Sequence, residues 1–261
     1  MEDTFEVIES LVPGPGVDGS ELFDELFEGC KCLGAICDSS CTCLQYTKSE
    51  MNYNVTGCVT NSDIGSIVEC SDSCSCALLP RSCGNRVVQE GINVKLKIVQ
   101  FPNKGNGVVA EELIPENSFV CEYAGELISA EEVGRRAKVS RNSPHNYTFT
   151  IKEHLQSGTR TSYIDARHCS NIARFINHSC APNLTPCIVR FNSEAPHVAL
   201  FAKREIKKGE ELCYDYGPSE SFDKVDEEGS GSSSERKQRK ACCCGTENCR
   251  GYLPVGETAI A

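Results

Sequence analysis

The residues of this chain that are best suited to chemistry are its cysteines, 19 in 261 residues. Ten lie between Cys30 and Cys83, and four lie between Cys242 and Cys249. Thiolates at such short spacings bind zinc, which takes four ligands in tetrahedral geometry. The opening MEDTFEVIES lacks the basic start and the apolar stretch of a signal peptide, so we expect an intracellular protein whose thiols stay reduced. Zinc sites are therefore favoured over a disulfide framework.

The first cysteine cluster has a sulfur count that fits three metal ions. Its pattern is C-x-C-x4-C-x3-C-x-C from Cys30 to Cys43, then C-x3-C-x-C-x6-C from Cys70 to Cys83. Three zinc ions need twelve ligand positions, which nine sulfurs supply if three of them each bridge two ions. Two ordinary zinc fingers with a spare cysteine are the alternative, but paired fingers usually show C-x2-C spacing. The predicted ligands are Cys30, Cys32, Cys37, Cys41, Cys43, Cys70, Cys74, Cys76 and Cys83.

The charge pattern favours a basic partner. The formal net charge is −11, and neutralising phosphates requires a basic surface, so duplex DNA is not expected to bind directly. Residues 1–29 carry nine acidic side chains and no Lys or Arg, which would steer a cationic peptide toward the protein. A solvated acidic tail is the alternative. No apolar run approaches the roughly 20 residues of a membrane span, so we expect no membrane partner.

The segments that must position these residues change in character along the chain. Between residues 86 and 217, short stretches rich in Val, Ile, Phe and Tyr are broken by Gly, Pro and Asn, which is typical of strands. We expect a mainly β fold, with strands within Asn93–Phe101, Ser118–Tyr123 and His197–Phe201. The predicted division is a weakly structured acidic arm (1–29), a zinc module (30–85), a β-rich domain (86–217), a flexible Ser- and Gly-rich linker (218–240) and a zinc-binding tail (241–261).

One helix is predicted within the β-rich domain, over Ala130–Val139. Ser129 and Glu132 match the S-x-x-E capping box, in which each side chain bonds a free backbone N–H of the other residue. A second, short amphipathic turn of helix is expected within residues 20–27.

Four motifs follow one another: NRVVQ at Asn85–Gln89, RFINHSC at Arg174–Cys180, YDYG at Tyr214–Gly217 and CCCGTENCRGYL at Cys242–Leu253. Together with the nine cysteines, they resemble the SET-domain histone lysine methyltransferases that carry pre-SET and post-SET zinc modules. The resemblance implies small curved β-sheets around a knot-like crossing, S-adenosylmethionine as methyl donor, and a histone tail peptide or nucleosome as partner. It also implies a nuclear, chromatin-bound protein, with histone H3 as the expected substrate.

A second zinc site is expected at the C-terminus. Cys242, Cys244 and Cys249 form C-x-C-x4-C and lack a fourth ligand, while Cys180 has no partner nearby in the sequence. Cys180 completes the set, and the resemblance implies that this zinc helps to close the lysine channel. The remaining cysteines of the β-rich domain and tail are predicted to be buried free thiols, namely Cys121, Cys169, Cys187, Cys213 and Cys243.

The resemblance also assigns the reaction centre. Methyl transfer to an amine requires an aligned, unprotonated lysine, and deprotonation at neutral pH costs roughly 4–5 kcal/mol for a pKa near 10.4. A narrow aromatic channel lowers that cost by desolvation. Tyr147, Tyr214 and Tyr216 match this channel, with Tyr216 in the place of the catalytic tyrosine. Tyr214 stands where the number of methyl groups is limited, which implies mono- or dimethylation. Glu122 and Tyr123 resemble the strand that pairs with the substrate peptide, although packing is an alternative role.

The donor site is assigned in the same way. Lys104–Gly107 matches the loop that wraps the donor, where glycines permit close backbone approach. The family commonly has Trp where this chain has Asn106, so a catalytically weak zinc scaffold or chromatin adaptor stays open, as does a methyltransferase for non-histone proteins. Asn177 and His178 match a pair that contacts adenine. The predicted donor-binding residues are Lys104, Gly105, Asn106, Gly107, Tyr147, Arg174, Phe175, Asn177 and His178.

Overall fold

Strands dominate the part of the chain that the computed structural model describes, which comprises residues 4–17, 21–24, 28–34, 37–61, 65–78, 83–139, 146–155, 158–217 and 240–254. The strands are β1 (Glu6–Val7), β2 (Val12–Pro13), β3 (Ser66–Val68), β4 (Leu96–Phe101), β5 (Gly105–Ala110), β6 (Phe119–Glu122), β7 (Glu126–Ile128), β8 (Thr148–Leu155), β9 (Gly158–Asp165), β10 (Cys169–Ser170), β11 (Asn177–His178), β12 (Leu184–Arg190), β13 (His197–Ala202) and β14 (Glu211–Tyr214). The helices are α1 (Thr42–Thr47) and α2 (Ala130–Val139), with 3-10 turns at Glu21–Phe23, Ser75–Leu78 and Ile172–Phe175.

The described strands form three four-stranded sheets and one short pair. The sheet orders are β11-β14-β5-β4, β3-β12-β13-β6 and β2-β7-β9-β8, and β1 pairs with β10. Fully buried side chains such as Val108, Ile151, Ile164 and Leu200 pack between these sheets in one hydrophobic core. The predicted β class is confirmed, and each of the three predicted strand segments overlaps a strand.

The N-terminal arm is not weakly structured as expected. β1 pairs in parallel with β10, and β2 pairs in parallel with β7. Leu11 is buried in the main core, and its backbone N–H donates to Glu122 Oε1 over 2.9 Å. Ser10 Oγ donates to the other carboxylate oxygen of Glu122 over 2.7 Å. Glu122 therefore holds the arm, and the partners of these two-residue strands lie too far away in the sequence to leave a local pattern. Of the helical turn expected within residues 20–27, the described residues form the 3-10 turn Glu21–Phe23.

The cysteine-rich module joins the β-rich domain through a shared strand and a buried carboxylate. β3 pairs in parallel with β12, which extends the β12-β13-β6 sheet. Glu69 is fully buried, and it accepts hydrogen bonds from Tyr53 Oη over 2.7 Å and from the Val88 N–H over 2.8 Å. Burial raises the pKa of Glu69. Because Val88 belongs to the NRVVQ motif, this motif connects the cysteine-rich module to the β-rich domain.

Helix α2 has the predicted bounds but only half of the predicted capping box. The Glu132 N–H donates to Ser129 Oγ over 3.2 Å, as expected. The Glu132 carboxylate does not return to the Ser129 N–H, which donates to the Pro15 carbonyl over 3.3 Å. That carboxylate accepts instead from Arg135 and Arg136. Two guanidinium groups compete successfully with a single backbone amide because their charge-assisted hydrogen bonds are stronger.

Arg136 anchors α2 to the sheet beneath it. Its Nη1 lies 2.7 Å from Glu126 Oε2 and 2.9 Å from Asp165 Oδ2, so it ties the helix to β7 and β9. The side chain of Asp165 is 1% exposed and that of Arg136 is 10% exposed, so solvent screens these contacts little.

The cysteines outside the predicted zinc sites follow the expectation only in part. Cys121, Cys187 and Cys213 are buried, as predicted. Cys169 is half-buried and Cys243 is exposed, so the prediction was wrong for these two. Cys169 lies on the short edge strand β10, and Cys243 lies in the tail, where little chain is available to cover it.

The remaining expectations concern the membrane and the linker. Among the described residues, no helix combines the length and the hydrophobicity that crossing a membrane would require. The predicted linker falls almost entirely outside the described residues, since residues 218–239 are not among them.

Replacing Arg136 tests the anchoring of α2. Arg136→Gln leaves Glu126 and Asp165 without their cation, and we expect a loss of about 3 kcal/mol in the free energy of unfolding. Arg135→Gln is the matched control, because Arg135 pairs with Glu132 from an exposed position on the same helix and should change stability little. Urea unfolding of both variants provides the measurement. Equal effects in the two variants would contradict the anchoring role.

Candidate active site and cysteine clusters

One sheet brings together three motifs that are far apart in the sequence. β11 carries Asn177 and His178 of the RFINHSC motif and runs parallel to β14, with His178 opposite Tyr214. β14 pairs on its other side with β5, which contains the end of the KGNG segment. Lys104 closes the β4–β5 hairpin, where Gly105 has φ +80°, a backbone conformation that favours glycine. The sheet therefore places these three motif segments on adjacent strands.

Polar contacts lock the KGNG and NHSC segments to each other. Asn177 Nδ2 donates to the Asn106 carbonyl over 3.2 Å and to Glu211 Oε1 over 3.0 Å. The other oxygen of Glu211 lies 2.7 Å from Lys104 Nζ. Burial disfavours the charge of Lys104, but the contact with Glu211 outweighs it and raises the pKa. Sequence reasoning missed Glu211, whose only signal was its position three residues before the YDYG motif.

Gly107 is the point of closest approach between these strands. A Cβ atom at this position would lie 2.7 Å from Asn177 Nδ2 and 2.7 Å from the ring of Phe101. Real Cβ atoms essentially never come that close, so only glycine fits without a shift of its neighbours. The second glycine of the KGNG segment is therefore required by packing against Asn177 and Phe101.

A cluster of aromatic rings lies beside this sheet. The ring centroids of Tyr214 and Tyr216 are 4.8 Å apart, and those of Phe149 and Tyr214 are 6.0 Å apart. Tyr123 completes the cluster at 5.3 Å from Phe149, and its hydroxyl donates to the Tyr147 carbonyl over 2.9 Å. Sequence reasoning missed Phe149 and left Tyr123 as a strand residue. For Phe149, the available signal was its position two residues after Tyr147, although Tyr147 precedes β8.

The hydroxyl groups of this cluster are neutral hydrogen-bonding groups. Burial raises the pKa of Tyr123, Tyr214 and Tyr216 above the ordinary tyrosine value, so all three stay protonated at neutral pH. The Tyr216 hydroxyl donates to the Ile176 carbonyl over 2.7 Å, which fixes its ring. β14 ends at Tyr214, and Tyr216 lies two residues beyond it. Tyr214 is therefore held by strand pairing, whereas Tyr216 belongs to the segment that follows the strand.

Arg174 has the properties of an anion-binding residue. It is buried, and its Cζ lies 4.2 Å from the centroid of the Tyr147 ring. Its Nε is buried and has no hydrogen-bond partner among the described residues. A buried guanidinium with an available N–H is suited to a carboxylate. Arg174 therefore fits a cofactor that carries a carboxylate.

The C-terminal tail reaches this site through four cysteines. The sulfur atoms of Cys180, Cys242, Cys244 and Cys249 all lie within 4.8 Å of one another, which is the geometry of a tetrahedral thiolate site. His178 Nε2 lies 3.4 Å from the Cys180 sulfur.

His178 connects the thiols to the aromatic cluster. Its Nδ1 accepts from the Tyr216 N–H over 3.2 Å, and its Nε2 faces both the Cys180 sulfur and Arg250 Nη2, the latter at 3.3 Å. Burial lowers the pKa of His178 to about 4, so the ring is neutral at neutral pH. His178 therefore links the thiol group to Tyr216 as an uncharged bridge.

Arg250 makes a second connection from the tail to the YDYG motif. Its Nη2 lies 2.6 Å from Asp215 Oδ1, and its Nη1 donates to the Gly217 carbonyl over 3.2 Å. The tail thus docks on the backbone that carries Tyr216.

The N-terminal cysteines form three overlapping groups of four sulfurs, each within 4.8 Å. Cys70 belongs to all three groups, and Cys30 and Cys37 belong to two each. Cys32 belongs to none of them, but it contacts Cys30 and Cys41. Overlap of this kind is what bridging thiolates require. The groups are Cys30, Cys43, Cys70 and Cys74; Cys30, Cys37, Cys41 and Cys70; and Cys37, Cys70, Cys76 and Cys83.

Proteins with similar sequences identify the family. Residues 2–86 match the Pre-SET motif family, and residues 105–217 match the SET domain family. Over 257 residues the chain is 44% identical to the probable histone-lysine N-methyltransferase set-23 of Caenorhabditis briggsae, an alignment covering 98% of this chain and 99% of that relative. The chain belongs to the SET-domain family. Its Pre-SET match begins at residue 2 and so includes the docked N-terminal arm.

Solved SET-domain structures share the fold. The methyltransferase domain of human histone-lysine N-methyltransferase SETMAR matches with a TM-score of 0.79 and 33% identity, over 98% of this chain and 90% of that one. KRYPTONITE, solved in complex with mCHH DNA, an H3(1-15) peptide and SAH, matches with a TM-score of 0.74 and 30% identity, over 96% of this chain and 48% of that one. The family indicated by the sequence motifs is confirmed.

Adding a single methyl group at Gly107 tests the packing of the site. Gly107→Ala must displace Asn177 or Phe101, and we expect a loss of about 1–3 kcal/mol in the free energy of unfolding. At Gly134 in α2 the same added methyl meets no atom within 4 Å, so Gly134→Ala should be neutral or slightly stabilising. Urea unfolding distinguishes the two. A Gly107→Ala variant as stable as the wild type would show that the contact around Asn177 is not tight.

Proposed function

We propose that this SET-domain protein is an S-adenosylmethionine-dependent histone-lysine N-methyltransferase that acts in the nucleus, on a lysine of the histone H3 tail, and adds one or two methyl groups. The observation that supports this proposal most strongly is the β11-β14-β5-β4 sheet, in which the KGNG and NHSC segments lie close to the aromatic cluster. The set-23 relative is named as a probable histone-lysine N-methyltransferase, and KRYPTONITE was solved with an H3 peptide and SAH. These names support the proposal for the present chain.

When bound, the donor would supply a methyl group on a positively charged sulfur. The lysine would first release a proton to water; its neutral nitrogen would then bond to the methyl carbon as the carbon–sulfur bond breaks, and the electron pair of that bond would stay on the sulfur, which becomes neutral. Arg174 would bind the carboxylate of the donor, since its buried guanidinium has an available N–H. The Gly107 backbone and the Asn177 side chain would contact the adenine side. Their role is to hold the donor in one orientation.

The aromatic cluster would receive the lysine side chain. Tyr123, Phe149 and Tyr214 are buried, so a lysine among them loses most of its hydration. Desolvation lowers the pKa of an amine, which favours the unprotonated nucleophile. Since the tyrosine hydroxyls stay protonated, they act by hydrogen bonding rather than as bases. Tyr216, fixed by the Ile176 carbonyl, would orient the reacting centre, and the Tyr214 hydroxyl would limit the space for further methyl groups.

Zinc ions would bind in the N-terminal cysteine cluster and at the four cysteines that join the C-terminal tail to the site. We assign Cys30, Cys37 and Cys70 as bridging ligands, because these are the sulfurs that the overlapping groups share. Cys32 would take the place of Cys70 in the group that contains Cys41, since it contacts Cys30 and Cys41. The three ions then have the terminal pairs Cys43 with Cys74, Cys32 with Cys41, and Cys76 with Cys83, and the fourth ion has Cys180, Cys242, Cys244 and Cys249.

Metal analysis of the purified chain tests this assignment. We expect about four zinc ions per chain, three in the N-terminal cluster and one at the tail. Removing them with a strong chelator should unfold the cysteine-rich module, because binding and folding are coupled in such sites. A count near two would exclude the three-ion cluster.

The two tyrosines of the YDYG motif should have different effects. Tyr216→Phe removes the hydroxyl that orients the reacting centre, and we expect the rate to fall about 10²-fold or more while the affinity for S-adenosylmethionine barely changes. Tyr214→Phe enlarges the space around the amine, so the products should shift toward trimethyl-lysine. Mass spectrometry of a methylated H3 peptide reads both effects.

Each variant serves as the control for the other, because each removes one hydroxyl from adjacent rings. Near-full activity of Tyr216→Phe would refute its assignment. So would loss of activity in Tyr214→Phe without any change in the product distribution.

A further inference from the structure

An aromatic ring from the far N-terminus contacts the predicted donor site. The Phe5 ring centroid lies 4.2 Å from Arg174 Cζ. The same ring makes an edge contact with Phe175, with centroids 5.9 Å apart. Phe5 and Arg174 are separated by most of the chain, so this contact depends on docking of the arm.

The contact bears on the orientation of the Arg174 guanidinium. This group also lies 4.2 Å from the Tyr147 ring centroid, so two aromatic rings contact it at the same distance. Its Nη1 donates to the Arg167 carbonyl over 3.3 Å, and its Nε has no partner among the described residues. With so few hydrogen bonds, the attraction between a cation and aromatic rings contributes much of what holds the group in place.

The backbone that follows Phe5 is held in place by hydrogen bonds. The Glu6 N–H donates to the His168 carbonyl over 2.8 Å, and the Ile8 N–H donates to the Ser170 carbonyl over 3.0 Å. Further along, Leu11 is buried in the core and bound by Glu122. The position of the Phe5 ring against Arg174 is therefore set by the pairing of β1 and by the burial of Leu11.

We infer that the N-terminal arm is a component of the methyl-donor site, and that Phe5 is a positioning residue that holds Arg174 for the carboxylate of S-adenosylmethionine. The inference rests on the donor site described under Proposed function. Docking of the arm then sets the affinity for the donor, so a partner or a modification that displaces residues 4–17 would weaken donor binding without touching the sheet that carries the three motifs.

Calorimetric titration of the zinc-loaded full chain with S-adenosylmethionine tests this inference. Phe5→Leu keeps an apolar side chain but removes the ring, and we expect the Kd to rise about 3- to 30-fold, the range that corresponds to losing one cation–aromatic contact. Phe5→Tyr keeps the ring and should stay within about twofold of the wild type. Val7→Ala is the matched control, because Val7 lies two residues further along the same arm with its side chain exposed, and it should also bind normally.

Each outcome decides a different claim. Wild-type affinity in Phe5→Leu, or equal weakening in Phe5→Leu and Phe5→Tyr, would overturn the role of the ring while leaving the proposed function intact. A wild-type chain that does not bind S-adenosylmethionine would overturn both. In steady-state kinetics, Phe5→Leu should raise the KM for S-adenosylmethionine and leave the KM for the H3 peptide unchanged; an equal rise in both would indicate a general structural role and refute the positioning role.

Discussion

The pairing of β14 with β11 on one side and with β5 on the other is the constraint on which the site depends. It brings Asn177 and His178 next to Tyr214, and both next to the KGNG segment, although these residues are separated by dozens of positions in the sequence. Glu211 reinforces the arrangement, because one carboxylate binds both Asn177 and Lys104. Backbone pairing sets the order of the strands, and the contacts of Glu211 fix the positions of the Asn177 and Lys104 side chains.

Buried polar groups hold the other units to this sheet. Glu122 binds the N-terminal arm, Glu69 binds the NRVVQ motif, and Arg136 binds helix α2 to β7. Each of these groups would be costly to leave unpaired away from water, so each specifies one docking position. In the tail, the four thiols and Arg250 have the same role. The site is therefore assembled from separate segments, whose positions depend on a small number of buried polar contacts.

Local patterns predicted much of the fold. The spacing of the cysteines indicated both clusters, and the structure adds that Cys30, Cys37 and Cys70 are the shared sulfurs. The capping signal located α2 to the residue, because a helix start depends on neighbours in the chain. Features that depend on contacts between residues distant in the sequence were not predicted. The arm pairs with strands more than a hundred residues away, and the Glu132 carboxylate was captured by arginines rather than by the Ser129 amide. Phe149 and Glu211 gave little local signal, because their roles arise only when strands are side by side.

In the proposed function, the sheet and the aromatic cluster together transfer a methyl group to a histone lysine. Mass spectrometry of an H3 tail peptide, incubated with the zinc-loaded chain and S-adenosylmethionine, tests it most directly. The account predicts that one lysine gains one or two methyl groups. A chain that binds S-adenosylmethionine but leaves the peptide unmodified would contradict the proposed histone activity.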